Sequence, residues 1–495
     1  MMMHSPGTFW SAGTQNATDL LPSYEEPNGF GANGTQRLYA DMIGKENHNR
    51  MNNPNNLKQK LCDYVMEERD SLYAFGEDIF LHPELGYREH RTHRKLQEAL
   101  LGIGVTDMAT WGLTGIKAWL PGAKDPLLPN IAILGEMDAV VSPNHPQADP
   151  ITGAAHACGH HAGLTAMLGA GMALSKALPE LAGNICLIAA PAEEYVEIDY
   201  RRSLLASGKI RYLGGKQQLI SEGCFDDIHI AMMVHALSDS PVSQVCVSST
   251  AGGFIGKSVR FKGQEAHAGG APHLGVNALN AASAALMCIH ALRETFRDED
   301  HVRIHPIITK GGDMVNTVPA DVRMESYVRA ASLDAMADAN AKVNRAIRGA
   351  SYALGAESEI EDLPGYLPLE EARALSQIFA DNAALLFPEA SVSWNRPFCG
   401  STDMGDLSYI MPVIQPTVSG FAGALHSKDF RVTDPRMAYL APAVLMAATT
   451  ADLLADGAQR AAALLRDFAS KDKGQYDHLW QEFLSPCPEK NGSNI

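Results

Sequence analysis

The order of apolar and polar positions predicts helices that alternate with buried strands over most of the chain. Helical periodicity begins near Leu57, breaks at HPELG (82–86) and resumes in REHRTHRKLQEALLGIG. Short apolar runs at residues 130–140, 183–194 and 227–237 then alternate with helical stretches. Apolar strands separated by helices are typical of an α/β layer with a largely parallel, buried sheet. The pattern therefore predicts an α/β fold.

Residues 250–370 follow a different pattern, which predicts a second domain inserted into the first. Strand, helix, strand, strand, helix and strand follow one another, from KSVRFKG to ESEIEDL. That order, βαββαβ, is the ferredoxin-like split. The predicted segments are an N-terminal extension (1–55), a catalytic domain in two parts (56–249 and 371–485), a lid and dimerisation domain (250–370) and a tail (486–495).

The net charge argues against some kinds of binding partner, and the cysteine content indicates the cellular compartment. The 495 residues carry a formal net charge of −17, which argues against general binding to nucleic acid or to an anionic membrane surface. The 8 cysteines form no C-x-x-C pair, as expected for reduced thiols. The N-terminus lacks the pattern of a signal peptide, and no uninterrupted apolar run reaches membrane-spanning length. We therefore expect a cytoplasmic protein without nucleic-acid or membrane partners.

Residues able to bind a metal or move a proton follow each of the three predicted strands. Asp138 follows the first strand, Glu193 and Glu194 follow the second, and His235 follows the third. Because the carboxyl ends of parallel strands meet at one edge of a sheet, we expect these side chains to share a crevice. HACGHH (156–161) leads into a helix beside the same edge, and thiolate and imidazole suit zinc and similar ions. The sequence thus predicts a metal site.

Eight motifs of this chain occur in an order that resembles a known family. They are HPELGYREHRT (82–92), GEMDAV (135–140), HACGHH (156–161), PAEE (191–194), MMVH (232–235), GQEAHA (263–268), GSTDMGD (400–406) and LHS (425–427). The chain resembles the metal-dependent amidohydrolases of the aminoacylase/carboxypeptidase clan, the clan MH dinuclear metallopeptidases. The branch is that of indole-acetyl-amino-acid hydrolases, p-aminobenzoyl-glutamate hydrolase and aminoacylase-1-like dipeptidases. The resemblance covers roughly residues 56–455 and implies a two-metal α/β hydrolase domain interrupted by a ferredoxin-like lid that usually dimerises. A homodimer or a higher homo-oligomer is therefore expected.

The resemblance also implies the roles of individual residues. The metal ligands would be Cys158, His160, Glu194, His235 and His426. Glu193 would be the general base, Asp138 would hold a ligand or the base in place, and His267 of the lid would reach the partner subunit's active site. Two divalent ions, zinc or alternatively manganese or cobalt, would activate the attacking water. The implied substrate is a small N-acyl or N-aroyl amino acid or a dipeptide, cleaved at its amide bond.

Three further residues are candidates for substrate binding. Arg329 and Asn316 of the lid could hold a substrate carboxylate, although Arg329 could equally be a solvated charge at a strand end. His161 stands where the branch has Asp or Asn, and it could be an extra ligand or a substrate contact. A second departure is Glu136, at a position where the wider clan carries a ligand histidine. The Cys-x-His pair must therefore supply ligands.

Two other functions remain compatible with the sequence. Cys158 with a nearby histidine fits a thiol hydrolase, and the same fold could serve as a catalytically inactive binding protein. A nicotinamide enzyme is disfavoured because GAGMAL (169–174) lacks the third glycine and lies in a predicted helix. A serine hydrolase is disfavoured because no G-x-S-x-G occurs.

Overall fold

A computed structural model describes residues 54–122, 125–395, 397–398 and 400–484. Of the predicted N-terminal extension (1–55), all but the last two residues lie outside the described residues, and so does the whole predicted tail (486–495). Helical structure begins at Pro54, slightly before the predicted start near Leu57.

The helices and strands are numbered here in chain order. The helices are α1 (Pro54–Glu67), α2 (Arg69–Phe80), α3 (His90–Gly102), α4 (His160–Ala177), α5 (Ile198–Ala206), α6 (Gly215–Glu222), α7 (Ala278–Ala291), α8 (Leu333–Ala353), α9 (Arg373–Leu386), α10 (Met404–Ile410), α11 (Ala441–Asp467) and α12 (Lys473–Leu484). The strands are β1 (Asp107–Trp111), β2 (Gly115–Trp119), β3 (Asn130–Glu136), β4 (Val140–Val141), β5 (Ala154–Ala155), β6 (Asn184–Ala190), β7 (Ile230–Met232), β8 (His235–Ser238), β9 (Gln244–Val247), β10 (Thr250–Ala251), β11 (Gly253–Lys262), β12 (Arg303–Ile304), β13 (Ile307–Lys310), β14 (Asp321–Ala330), β15 (Glu357–Tyr366), β16 (Ser391–Trp394), β17 (Pro397–Phe398), β18 (Val413–Ile414), β19 (Thr417–Ala422) and β20 (Arg431–Val432).

The catalytic domain is built on a central sheet in the order β1-β2-β6-β3-β7-β18. Strands β6, β3, β7 and β18 run parallel, and β2 and β1 extend the sheet antiparallel. Alternate residues of β3 belong to two different cores: Ile131 and Ile133 pack on one side, and Ala132 and Leu134 pack on the other. The predicted α/β fold with a largely parallel, buried sheet is therefore confirmed.

The apolar run at 227–237 differs from its prediction as one strand. It forms β7 in the central sheet and then β8, which pairs with β19 in a second sheet ordered β16-β9-β19-β20. Apolar residues, Met232, Met233 and Val234, stand at the break, so the run carries no periodic signal for a change of sheet.

The inserted lid has the predicted ferredoxin-like arrangement. Its sheet has the order β12-β14-β11-β15, with β13 also on β14, and every pairing is antiparallel. Helices α7 and α8 contribute to one core with this sheet. The second predicted strand is divided into β12 and β13 around Pro306, which has no backbone N–H to offer a ladder.

Within the described part of the chain, the segment Arg436–Asp467 is long and apolar enough to satisfy the length and composition criteria for a membrane span. Its most apolar stretch of 18 residues is buried in the protein, where α11 packs against α4 and α9. Core helices of globular domains meet the same criteria, so the segment is weak evidence for a membrane.

Candidate active site

The five residues implied as metal ligands come together although they lie far apart in the chain. Ligand atoms of Cys158, His160 and His235 lie within 4.8 Å of one another, and so do those of Cys158, Glu194 and His426. Cys158 belongs to both groups. The arrangement is that of two adjacent donor sets that share one thiol.

A left-handed turn at Gly159 places the first two donors. Gly159 has φ 91°, a conformation that favours glycine, and a Cβ there would lie 2.5 Å from the Cβ of Ala236. Cys158 therefore ends the loop and His160 begins α4, within one donor group. The small residues of HACGHHAG thus allow the close packing of this turn.

His426 reaches the site from the loop between β19 and β20. Its backbone N–H donates to the carbonyl of Ala157 over 2.7 Å, and its own φ is 64°. Its Nε2 lies 3.2 Å from the Sγ of Cys158 and 3.1 Å from Oε1 of Glu194. A histidine from a remote loop is thereby joined to the donors at the sheet edge.

Asp138 connects two of the donors without belonging to either group. The Nδ1 of His160 lies 2.9 Å from its backbone carbonyl and 3.2 Å from its Oδ1. Its Oδ2 accepts a hydrogen bond of 2.9 Å from the backbone N–H of Glu194. This buried carboxylate orients the His160 ring so that Nε2 is the free donor atom.

The two adjacent glutamates have opposite electrostatic environments. Burial raises the pKa of Glu193 well above its ordinary value, and the charges of Glu136 and Glu194 add to the rise. Burial also acts to raise the pKa of Glu194, but the adjacent His426, together with His160, lowers that pKa to about 2. Glu193 therefore favours holding a proton, whereas Glu194 favours the carboxylate that a cation needs.

The donor set fits a divalent metal ion. Nε2 of His160 and Oε1 of Glu194 are buried without an aligned hydrogen-bond partner. Two donors about 2.1 Å from one tetrahedral ion are about 3.4 Å apart. The Sγ of Cys158 lies 3.5 Å from Nε2 of His235 and 3.2 Å from Nε2 of His426. Sulfur and imidazole donors at these spacings suit zinc and its neighbours.

A buried charge network borders the donors on the side of α6 and α10. The ammonium of Lys216 donates to Oε1 of Glu136 over 2.6 Å and to the carboxylate of Asp403. Oε2 of Glu136 lies 3.2 Å from Nε2 of His160. Glu136, His160 and Glu193 also form a third group of potential ligand atoms. Two carboxylates around one ammonium leave a net negative charge beside Glu193.

A pocket of about 700 Å³ opens from the donors toward the lid. Its walls include Glu193 and, on β14, Arg329. Nη1 of Arg329 donates to Oγ of Ser401 over 2.6 Å, and its guanidinium lies 5.1 Å from the ring centre of Phe254. Arg329 is therefore a cation held inside the pocket rather than a solvated strand end.

His161 lies in the core and does not line this pocket. Its ring packs 4.9 Å from that of Phe80, 5.5 Å from that of His156 and 5.9 Å from that of Tyr439. Burial, together with the charge of His160, lowers the pKa of His161 to about 3. The structure therefore places a neutral ring beneath the site, where it does not reach the pocket.

His267 and Asn316 lie together on the exposed surface of the lid, away from the pocket of their own chain. His267 is bridged to Thr317, and the N–H of Ala268 donates to the carbonyl of Asn316 over 2.9 Å. One chain does not bring these two residues to its own donors. The role of His267 in the partner's site stays a prediction.

Several polar residues around the site were not assigned roles from the sequence. They are Glu89, Arg201, Lys216, Tyr366 and Asp403, all of them buried. Glu89 and Asp403 lie inside two of the matched motifs, HPELGYREHRT and GSTDMGD, which was the available signal. Arg201 and Lys216 lie outside those motifs, and a charged residue in a short helix normally indicates a solvated position.

Comparisons with known proteins agree with this architecture. Residues 250–353 match the M20 peptidase dimerisation domain. The chain is 28% identical over 378 residues to Xaa-Arg dipeptidase of Mus musculus, covering 73% of this chain and 79% of that protein. It is 23% identical over 354 residues to an IAA-amino acid hydrolase (ILR1-like 4) of Arabidopsis thaliana, covering 69% and 76%.

A solved structure shares the fold. It is a dinuclear metal binding peptidase of the M20 family from Bacillus subtilis, with a TM-score of 0.59 and 20% identity over 79% of this chain and 99% of that chain. Residues 250–353 therefore match the M20 peptidase dimerisation domain, and the chain is similar in sequence to hydrolases and in fold to a dinuclear metal binding peptidase.

Proposed function

We propose that the chain hydrolyses the amide bond of an N-acyl or N-aroyl amino acid or a dipeptide with two divalent ions. One observation carries the proposal: two donor groups sharing Cys158 adjoin a buried carboxylate, Glu193, in the wall of a pocket that also holds Arg329. Amide hydrolysis needs those three elements, which are an activated water, a proton carrier and an anchor for the substrate.

Bound divalent ions would lower the pKa of water and polarise the amide carbonyl. Glu193 then takes the proton from the attacking water and delivers it to the leaving nitrogen. A raised pKa suits both steps, because the carboxyl group must accept a proton and later release it near neutral pH. Asp138 keeps His160 and the backbone of Glu194 in place meanwhile.

Arg329 is the proposed anchor for the free carboxylate of the substrate. A guanidinium has five N–H donors in a planar fork that matches a carboxylate. Ser401 accepts one hydrogen bond from Nη1, and the guanidinium lies 5.1 Å from the ring centre of Phe254 and 5.4 Å from that of Tyr327. The remaining donors suit a carboxylate in the pocket, whose walls also include the donors Cys158, Glu194 and His426.

We also propose a homodimer in which His267 and Asn316 complete the partner's pocket. The lid belongs to the dimerisation family, and both residues stand on its exposed surface beside Val315, which is fully exposed. His267 would donate a hydrogen bond to the carbonyl oxygen as charge develops on it. The ions are proposed to be zinc, with manganese or cobalt as alternatives, because Cys158 is a shared thiolate donor.

The compartment is proposed to be the cytoplasm. Six cysteines of the described residues are unpaired in this structure, including the ligand Cys158. Unpaired cysteines in a chain of this length are typical of a reducing compartment.

The proposal is tested with the full chain, stripped by a chelator and reconstituted with zinc, manganese or cobalt. We expect two ions per chain and metal-dependent hydrolysis of at least one member of a panel of N-acyl amino acids and dipeptides. Activity that survives stripping and is lost to iodoacetamide would instead indicate a thiol hydrolase. That outcome is disfavoured, because burial and Glu194 raise the pKa of Cys158 whereas a nucleophilic cysteine needs a lowered one. Metal binding without hydrolysis of any panel member would show that the proposed substrate is wrong and would favour a binding protein.

A further inference from the structure

The turn that carries the two catalytic-site glutamates has a strained backbone. Pro191 and Ala192 follow β6, and Ala192 has φ 53°, in the left-handed region that favours glycine. A non-glycine residue keeps such a conformation only where its surroundings hold it there. Glu193 and Glu194 come next in the chain. The position of both carboxylates therefore depends on what holds this turn.

Hydrogen bonds hold the peptide groups on either side of Ala192. The N–H of Ala192 donates to Oε1 of Glu89 over 2.8 Å. Its carbonyl accepts from Nη1 of Arg201 and from the N–H of Gly215, each over 3.1 Å. The same guanidinium donates through Nη2 to the carbonyl of Glu194. Arg201 thus spans the turn, from the residue before Glu193 to the residue after it.

Arg201 occupies a position where a helix normally presents an apolar side chain. The buried residues of α5 are Arg201 and Leu204, three positions apart on one face. Arg201 is 1% exposed. Its hydrogen bonds to described residues all go to backbone carbonyls, the third being that of Leu213 over 2.8 Å. A guanidinium buried in this way is costly, and this one makes no close ion pair with a described carboxylate.

The HPELGYREHRT motif (82–92) makes room for this guanidinium. A Cβ on Gly86 would lie 2.5 Å from Nη2 of Arg201 and 2.8 Å from the Cα of Ala192. Glu89, in the same motif, supplies the acceptor for the N–H of Ala192 and also accepts a hydrogen bond of 2.5 Å from Oγ1 of Thr114. The motif therefore acts on the turn from one side while Arg201 acts on it from the other.

We propose that Arg201 is a positioning residue, which together with Glu89 fixes the turn that presents Glu193 and Glu194 to the two donor groups. The inference rests on the proposed function for its effect on catalysis. Its effect on metal affinity follows from Glu194 alone and needs no substrate. A planar fork is required, because three carbonyls in different directions must be reached by one side chain.

The test compares Arg201→Met with Arg202→Met in the full chain. Arg202 is the next residue on α5, but its side chain is 35% exposed and it contacts Ser258 and Glu361 of the lid. We expect Arg201→Met to lower metal affinity and kcat by about 10- to 100-fold, with KM within about threefold of its original value. Arg202→Met should change none of them. Affinity is measured by competition with a chelator, and folding by circular dichroism.

Chemical rescue separates positioning from a general loss of packing. Methylguanidinium added to Arg201→Ala should restore metal affinity and part of kcat, whereas methylammonium, a cation without the planar fork, should not. If Arg201→Met does not fold, Arg201→Lys is used instead. Lysine keeps the positive charge and the aliphatic part of the side chain, so only the planar guanidinium is lost. The same decrease in metal affinity and kcat is expected. A folded Arg201→Met or Arg201→Lys chain with the metal affinity of the original protein would overturn the inference.

The outcomes for this inference and for the proposed function are distinguishable. If the unaltered chain binds two ions but cleaves no panel member, the proposed substrate is wrong. The comparison of metal affinities still tests the role of Arg201 in that case. If the unaltered chain is active and Arg201→Met is equally active and equally metal-bound, the positioning role alone is wrong.

Discussion

Glu193 and Glu194 are neighbours in the chain, yet their surroundings give them different chemistry. Glu194 lies 3.1 Å from Nε2 of His426 and belongs to a donor group, whereas Glu193 lines the pocket with a raised pKa. Because adjacent side chains leave a turn in different directions, one strand end supplies both a ligand and a proton carrier.

Glu193→Gln is expected to lower kcat by about 10²- to 10⁴-fold, because the amide cannot accept the proton of the attacking water. Metal content, measured on the same preparation, should stay the same since Glu194 is untouched. Glu197→Gln is the matched control, because Glu197 lies in the same segment but pairs with Arg88. A Glu193→Gln chain that keeps its metal and its full turnover would contradict the assigned base.

Arg329→Met is expected to raise KM about 10- to 100-fold for substrates with a free carboxylate, which corresponds to the loss of a charge-assisted hydrogen bond. The same change should leave KM for the matching carboxamide nearly unaltered, because that substrate presents no charge to the guanidinium. Arg323→Met, on the same strand β14 but 57% exposed, is the control. Equal effects on the acid and the amide would show that Arg329 shapes the pocket without binding the carboxylate.

At the scale of elements, the sequence predicted those features that leave a periodic or terminal signal. Apolar runs ending in Asp138 and in Glu193–Glu194 became β3 and β6, and the βαββαβ order became the lid. The change of sheet between β7 and β8 left no such signal, because apolar residues stand on both sides of it. Arg201 and Lys216 were missed for a related reason. Hydrophobic periodicity predicts that a charged residue is exposed. The groups that bind Arg201 and Lys216 in the interior lie on other elements, so the local pattern does not reveal them.

The lid carries a prediction that one chain alone does not test. Mixing an inactive His267→Ala chain with an inactive Glu193→Gln chain should restore activity if His267 acts in the partner's site. A mixed dimer then contains one site with both residues intact, so random pairing gives up to about a quarter of the original activity. Activity is measured after subunit exchange, and each variant mixed with itself is the control. No recovery despite proven mixed dimers would place His267 in its own chain's site.

At the scale of the whole molecule, the buried carboxyl group of Asp406 joins three helices and makes the free energy of unfolding depend on pH. Asp406 on α10 accepts hydrogen bonds from Tyr476 on α12 over 2.8 Å and from Gln217 on α6 over 3.2 Å. Burial nevertheless raises its pKa from 3.8 to about 7, against those hydrogen bonds. Between about pH 4 and pH 7 the folded chain therefore holds a proton that the unfolded chain has released.

The free energy of unfolding contributed by Asp406 must then fall as the pH rises through that window, by up to about 1.4 kcal/mol per pH unit, and level off above about pH 7. Asp406→Asn has no such proton, so its stability relative to the original chain should improve from pH 5 to pH 7. Urea unfolding of the metal-stripped proteins at several pH values measures the difference, and Asp381→Asn on the exposed face of α9 is the control. Parallel stability curves for the original chain and Asp406→Asn would mean that Asp406 is ionised in the folded protein, with Tyr476 and Gln217 compensating its burial.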